Sequence, residues 1–211
     1  MKKFELTTES IYLLGTKLFR IKALVTFGCV KKGELGGFVE KEENLDHTGS
    51  AWIFGNAKVY GNARVYRDAR VSENAKVYGN ARVYGNAKVY GNAWVYGDAR
   101  VSGNARVYGN ANVYGNALVH GGEEVSGNAE VSGNQMHATV KGFGSQYRNT
   151  TFFITRDRNI CVNCGCFSGT LEQFRAKVKE THKDTKYAKE YLAIADLMEM
   201  HFKEELEKIK K

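Results

Sequence analysis

Three thiols fall within six residues, Cys161, Cys164 and Cys166, in the run ICVNCGCF. Thiolates bind zinc when a fourth donor completes a tetrahedron, and His182 is the candidate because it continues the Leu171, Phe174, Val178 spacing toward a helix end; His201 is a second. The same residues also fit small buried thiols packing a tight turn, or a reactive or redox thiol. Cys29 stands apart and reads as structural. No motif calls for an organic cofactor, and zinc is the metal the spacing admits. One histidine, His120, lies in the regular part of the chain, at a place that tyrosine usually fills and next to Gly121-Gly122-Glu123. Its plain reading is a repeat drifting toward its capped end.

His120 belongs to a strict internal repeat. From Ala51 to Asn134 the chain is 14 consecutive hexads of Ala-x-Val-Tyr-Gly-Asn, without insertion or deletion. Glu123 is the one break in the Ala column, and Val, or Ile53, follows two places later throughout. An aliphatic and a small residue four apart both point inward only if the chain turns once per six residues, with Gly and Asn accepting the left-handed backbone of the corner. Three corners close a triangular coil of 18 residues, and coils stack by parallel pairing at about 4.8 Å. Leu45 to Ser50 extends the register, with Leu45 in the Ala place and His47 in the Val place, giving about five coils.

These hexads resemble the hexapeptide-repeat left-handed β-helix of the acyltransferase superfamily, which implies a mainly β fold, a left-handed parallel β-helix with a cap at each open end. The stretch VKKGELGGFVEKEENL (residues 30–45) is similar to the amino-terminal region of a bacterial and phage family of such proteins, often labelled transferases. Residues 150–202, with Cys-Gly-Cys-Phe-x-Gly-Thr followed by Thr-His, resemble a carboxy-terminal module of phage and prophage proteins. The expected domains are an amino-terminal β cap over 1–44, the β-helix over 45–134, and a small α+β module over 135–211. In the first, a hairpin turns at Gly15-Thr16; in the last, residues 151–156 and 160–163 form a hairpin. A helix follows, opened by a Thr170/Gln173 capping box, and then a second from about Asp184 to Lys208. The resemblance implies a histidine at a subunit boundary as general base, for which His120 is the candidate, and a loop that leaves the coil. Gapless hexads provide no such loop.

Residues 18 apart stack on one face, so the outward positions read as columns. Tyr60, Tyr78, Tyr96 and Tyr114 form an aromatic column; Arg64, Arg82 and Arg100 form a guanidinium column; Arg70, Lys88 and Arg106 form another. Ser72, Ser102, Ser126 and Ser132 read as interruptions of the other aromatic positions. Like charges at strand spacing repel unless water, salt or an anionic partner screens them. The resemblance to left-handed β-helix proteins implies a homo-oligomer, a trimer with prisms side by side, for which the Tyr60 column is the natural contact.

The chain has 211 residues, no proline, 43% hydrophobic and 26% charged residues, which excludes a disordered chain. Its net charge of +8 suits an acidic partner. No run reaches the ~20 apolar residues of a membrane span, and MKKFELTTES lacks the apolar core of a secretory signal, so no membrane partner and a cytoplasmic location are expected. The leading expectation is a non-catalytic binding or sequestering protein of phage or prophage origin, acting on a host protein, nucleic acid or signalling nucleotide. An acyltransferase-like enzyme and a nucleic-acid-binding protein using the basic and Tyr columns are the alternatives.

Overall fold

Every Val of the hexads, with Ile53, and every Ala two places before it are fully buried. Each hexad makes one two-residue strand, x outward and Val inward, and then turns a corner that brings the next Ala inward again. The corners use the left-handed backbone: Gly103 has φ +64°, and a Cβ there would lie 2.8 Å from the Gly121 nitrogen one coil on. In this computed structural model, which describes residues 2–208, the result is a β-solenoid of about five coils. Three strands open the chain: β1 (Phe4–Leu13), β2 (Thr16–Ala23) and β3 (Leu35–Val39). Fourteen two-residue strands follow, from β4 (Trp52–Ile53) to β17 (Glu130–Val131), in three parallel sheets. Partners are 18 residues apart in all three, as in Lys58↔Lys76, Arg64↔Arg82 and Lys88↔Arg106. The faces are named here by Lys58, Arg64 and Arg70.

Two local readings need correction. Leu45 occupies a Val place, not an Ala place: it bridges to Val65, so the hexad before Trp52 is two residues longer than a regular one. A leucine fills the wider interior site of a valine, and the surplus loops out at residues 46–51. His47 then leaves the coil, stacks on Phe4 at 4.4 Å and accepts the Lys3 backbone N–H through Nδ1 at 3.1 Å. In the hairpin, Leu13 pairs with Thr16, so the turn is Leu14-Gly15, with φ of +49° and +83°. β-branched Thr16 is thereby kept in the strand, where its backbone is relaxed.

The carboxy-terminal module is a four-stranded antiparallel sheet, β18 (His137–Phe143), β19 (Arg148–Ile154), β20 (Ile160–Cys164) and β21 (Phe167–Thr170), covered by α1 (Leu171–His182) and α2 (Lys186–Lys208). The expected hairpin is its centre. The two outer strands escape sequence reading because β18 is interrupted by Lys141-Gly142 and β21 is only four residues, with Ser and Gly among them. Thr170 caps α1 as expected: its Oγ1 accepts the Gln173 N–H, and Gln173 Oε1 accepts the Thr170 N–H at 2.9 Å. Leu171, Phe174 and Val178 of α1 and Tyr191, Ala195, Met198 and Phe202 of α2 are buried, as their spacing predicts. Neither helix, among the described residues, is long and apolar enough to cross a membrane.

The solenoid ladder has a direction. Arg64 N–H donates to Ala81 O, Tyr66 to Val83, and so on, each N–H reaching toward the following coil. The first coil therefore presents bare carbonyls and the last bare N–H groups. Donors cover the first end: Lys3 Nζ to Gly49 and Ala51 O, Arg20 Nη1 to Gly36 and Gly55 O, and Asn44 Nδ2 to Gly61 and Ala63 O. Burial pushes the Lys3 ammonium down to about 8, with Asp46 and Asp68 opposing. Acceptors cover the last end: Asn134 Oδ1 takes the Leu118 N–H at 2.8 Å, Glu123 Oε2 that of His120 at 2.9 Å, and Thr151 Oγ1 that of Glu124 at 3.2 Å. Fully buried Asn44 also accepts the Lys41 N–H, so Asn44→Ala orphans three backbone groups and should cost about 2–3 kcal/mol in urea unfolding. The control, exposed corner variant Asn80→Ala, should stay within about 0.5 kcal/mol of wild type.

Candidate functional site

Stacking fixes the tyrosines geometrically. Tyr60, Tyr78, Tyr96 and Tyr114 lie ring on ring at 4.9–5.0 Å and within 4° of parallel. Ser132 proves to be the end of this same column, one coil beyond Tyr114, rather than an interruption of another. The other two edges carry shorter stacks, Tyr66 on Tyr84 and Tyr90 on Tyr108. Each ring is half-buried, and burial together with neighbouring phenols pushes Tyr78 up to about 12. Tyr114 also rises to about 12, with Glu130 adding to burial. The column is thus neutral throughout the physiological range. Trp94 projects beside it, edge-on to Tyr78, with Lys76 Nζ 4.3 Å from its ring centroid.

The two basic columns flank one edge of the prism. Arg64, Arg82 and Arg100 point out of one face and Arg70, Lys88 and Arg106 out of the next, with the Tyr66–Tyr84 stack between them. Arg67, where a corner glycine usually sits, adds a guanidinium 5.8 Å from the Tyr84 ring. Beside the Arg70 column the corner residues Ser50, Asp68, Asn86 and Asn104 form the other wall of a groove of about 450 Å³. Asp68 is occupied by Ser50 at 2.6 Å. Among the described residues only Arg106 of this set has an ion-pair partner, Glu124 at 3.2 Å. Arg20, Arg156 and Arg175, all elsewhere, each hold a carboxylate within 3.0 Å.

Strand alternation separates the thiols. Cys161 shares a face of β20 with Asn163, whose side chain bonds Ser126 Oγ and Glu124 O on the solenoid, whereas Cys164 lies on the helix-covered face. Cys164, Cys166 and His182 line one pocket of about 290 Å³, and Cys161 does not reach it. The expected four-ligand zinc centre is therefore not assembled, and no group of three or more His, Cys, Asp or Glu side chains among the described residues is placed to hold a metal ion. His120 is exposed, and its backbone N–H, not its ring, is engaged.

The break in the Ala column has a local role that sequence reading missed. Glu123 is buried and meets His137 Nε2 at 3.3 Å, while that nitrogen donates to Leu118 O at 3.0 Å. Burial pushes the Glu123 carboxyl up, but the hydrogen bonds from His137 and the His120 N–H prevail and hold it below its ordinary value. The signal was present as the one acidic residue in an alanine register; its partner, 14 residues on, carries no register at all.

Seven stretches, 57–73, 75–91 and then the overlapping 81–97 to 105–121 in steps of six, match the family model YdcK Beta solenoid repeat. Steps of six within a coil of 18 mean that the repeat matches in every one of its three corner registers. The chain is a β-solenoid repeat protein. No curated protein matches it. The matched segment lies wholly within the gapless coils, so the resemblance covers the scaffold and leaves the end caps of this solenoid to their own chemistry. Because Glu123 serves the end cap, Glu123→Ala, although it restores the repeat residue, should destabilise the solenoid by about 1–3 kcal/mol at pH 7 in urea unfolding. A depressed carboxylate contributes stability above its ordinary 4.5 and loses it in acid, so the deficit should shrink as pH falls below 4.5. A variant as stable as wild type at neutral pH would remove this role.

Proposed function

We propose that this β-solenoid is a non-catalytic binding protein that holds a single-stranded nucleic acid along its basic edge. One observation carries the reading: six outward cations stand in two columns beside a stacked tyrosine pair, and five of them have no ion-pair partner among the described residues, whereas Arg20, Arg156 and Arg175 each hold a carboxylate. Stacked like charges persist at a cost that an anionic chain relieves. Aromatic rings beside a positive groove accept bases of any sequence, and the groove wall of Asn86 and Asn104 offers amides to phosphate oxygens. Acyl transfer has less support, since the coils carry no excursion loop between residues 51 and 134 and His120 has no aligned partner.

Fluorescence anisotropy with a labelled oligonucleotide tests this. Affinity should fall steeply between low and physiological salt, with a log–log slope of about −3 to −4. Replacing Arg64, Arg82 and Arg100 together by Gln should flatten that slope by about 2 and leave thermal stability unchanged or raised. Salt-insensitive or absent binding would end the proposal.

A further inference from the structure

The second site lies in the carboxy-terminal module, apart from the basic edge. Cys164 ends β20 and pairs with Phe167 at the start of β21, so Gly165 and Cys166 form the two-residue turn between them, with Gly165 at φ +61°. Such a turn brings residues i and i+2 to about the Cα separation that a disulfide spans. Both cysteines line the same pocket, together with Phe167, Phe174 and Tyr191. Their exposure differs: Cys166 is open to solvent, whereas Cys164 is half-buried, with Thr150 Oγ1 3.2 Å from its sulfur and Tyr191 Oη 3.8 Å. Arg148 lies across the turn; a Cβ on Gly165 would come within 2.5 Å of its Nη1. No carboxylate pairs with Arg148 among the described residues, so its charge is free to act on the turn.

We propose that Cys164 and Cys166 are a redox-active dithiol that exchanges with a low-molecular-weight disulfide, Cys166 attacking and Cys164 resolving. The Cys166 thiolate attacks one sulfur of the small disulfide, forming a mixed disulfide and expelling one thiolate. Cys164 then attacks the Cys166 sulfur, closing the Cys164–Cys166 bond and expelling the second thiolate, which takes up the Cys164 proton. The small disulfide is reduced to two thiols as the protein dithiol is oxidised, so atoms and electrons balance. Arg148 places positive charge where the attacking and leaving sulfurs are negative, and the Tyr191 hydroxyl, pushed up to about 12 chiefly by burial, stays neutral and accepts from the Cys164 thiol at 3.8 Å. Cys161 is excluded by strand alternation, which leaves two partners rather than three.

The test is intact-mass and peptide mass spectrometry of the full chain in a Cys29→Ser background, titrated with oxidised glutathione and quenched with iodoacetamide. The expected product has lost two hydrogens, has two fewer alkylation sites, and carries the bond within the Cys164–Cys166 peptide. Cys164→Ser should stop at the mixed disulfide on Cys166, and Cys166→Ser should slow glutathione incorporation at least tenfold. Arg148→Gln should slow the first step while leaving the fold, followed by circular dichroism, unchanged. Persistent alkylation of both cysteines at every glutathione ratio, accumulation of the mixed disulfide in wild type, or a bond that includes Cys161 would each overturn the assignment.

Discussion

The interstrand hydrogen-bond ladder of the solenoid points one way, and the rest of the molecule answers to that. Because each N–H reaches the carbonyl of the following coil, the stack is polar along its axis: carbonyls are left over at one end and N–H groups at the other. Unpaired buried backbone groups cost a few kcal/mol each, so a solenoid needs ends of opposite chemistry. The amino-terminal cap supplies cationic and amide donors, Lys3, Arg20 and Asn44, while the carboxy-terminal side supplies acceptors, Glu123, Asn134 and Thr151. The hairpin β1–β2 and the strand β3 also continue the Lys58 face as one eight-stranded sheet, so the amino-terminal cap extends the scaffold as well as closing it.

Once the ladder fixes the coil at 18 residues, the surface follows without further choice. Any residue type repeated at an outward position becomes a column at strand spacing. Tyrosine gains from this, since stacked rings contribute about 0.5–1.5 kcal/mol per pair beyond their buried area. Arginine and lysine lose, since their charges are brought together. The acidic residues of the repeat compensate the basic edge only at its two ends, where Asp68 lies beside Arg70 and Glu124 pairs with Arg106, while Glu123 and Glu130 serve the cap and Arg156. The middle coils are left with a surplus of positive charge on the edge that carries Tyr66 and Tyr84.

The carboxy-terminal sheet uses its two faces for two purposes. Thr151 and Asn163, on one face, bind the open end of the solenoid. Phe152 and Val162, on the other, are buried in the module, with Phe152 set edge-on to Phe174 of α1. A strand with period two must divide its residues in this way, and the division decides which cysteines meet. The 161/164 spacing puts those two thiols on opposite sides, and the turn at Gly165 brings Cys166 back beside Cys164.

The sequence by itself determined everything that depends on local periodicity. The hexads dictate the coil length, the parallel register, the buried Val and Ala columns and the stacked Tyr and Arg ladders, because each is a consequence of one residue's place in a six-residue unit. The Thr170 cap and the apolar faces of α1 and α2 were legible for the same reason. What the tertiary structure decided is what joins residues of unrelated register. Leu45 shifts by two places because it must fill a valine's interior site. Glu123 is explained only by His137 and by the bare N–H of His120, and Lys3 only by the carbonyls of a coil more than forty residues away. The thiols, close in sequence, are parted by the pleat of a strand whose two outer neighbours, β18 and β21, carry no clear pattern. Periodicity encodes the body of a solenoid; its ends break the period, and there non-local contacts choose the structure.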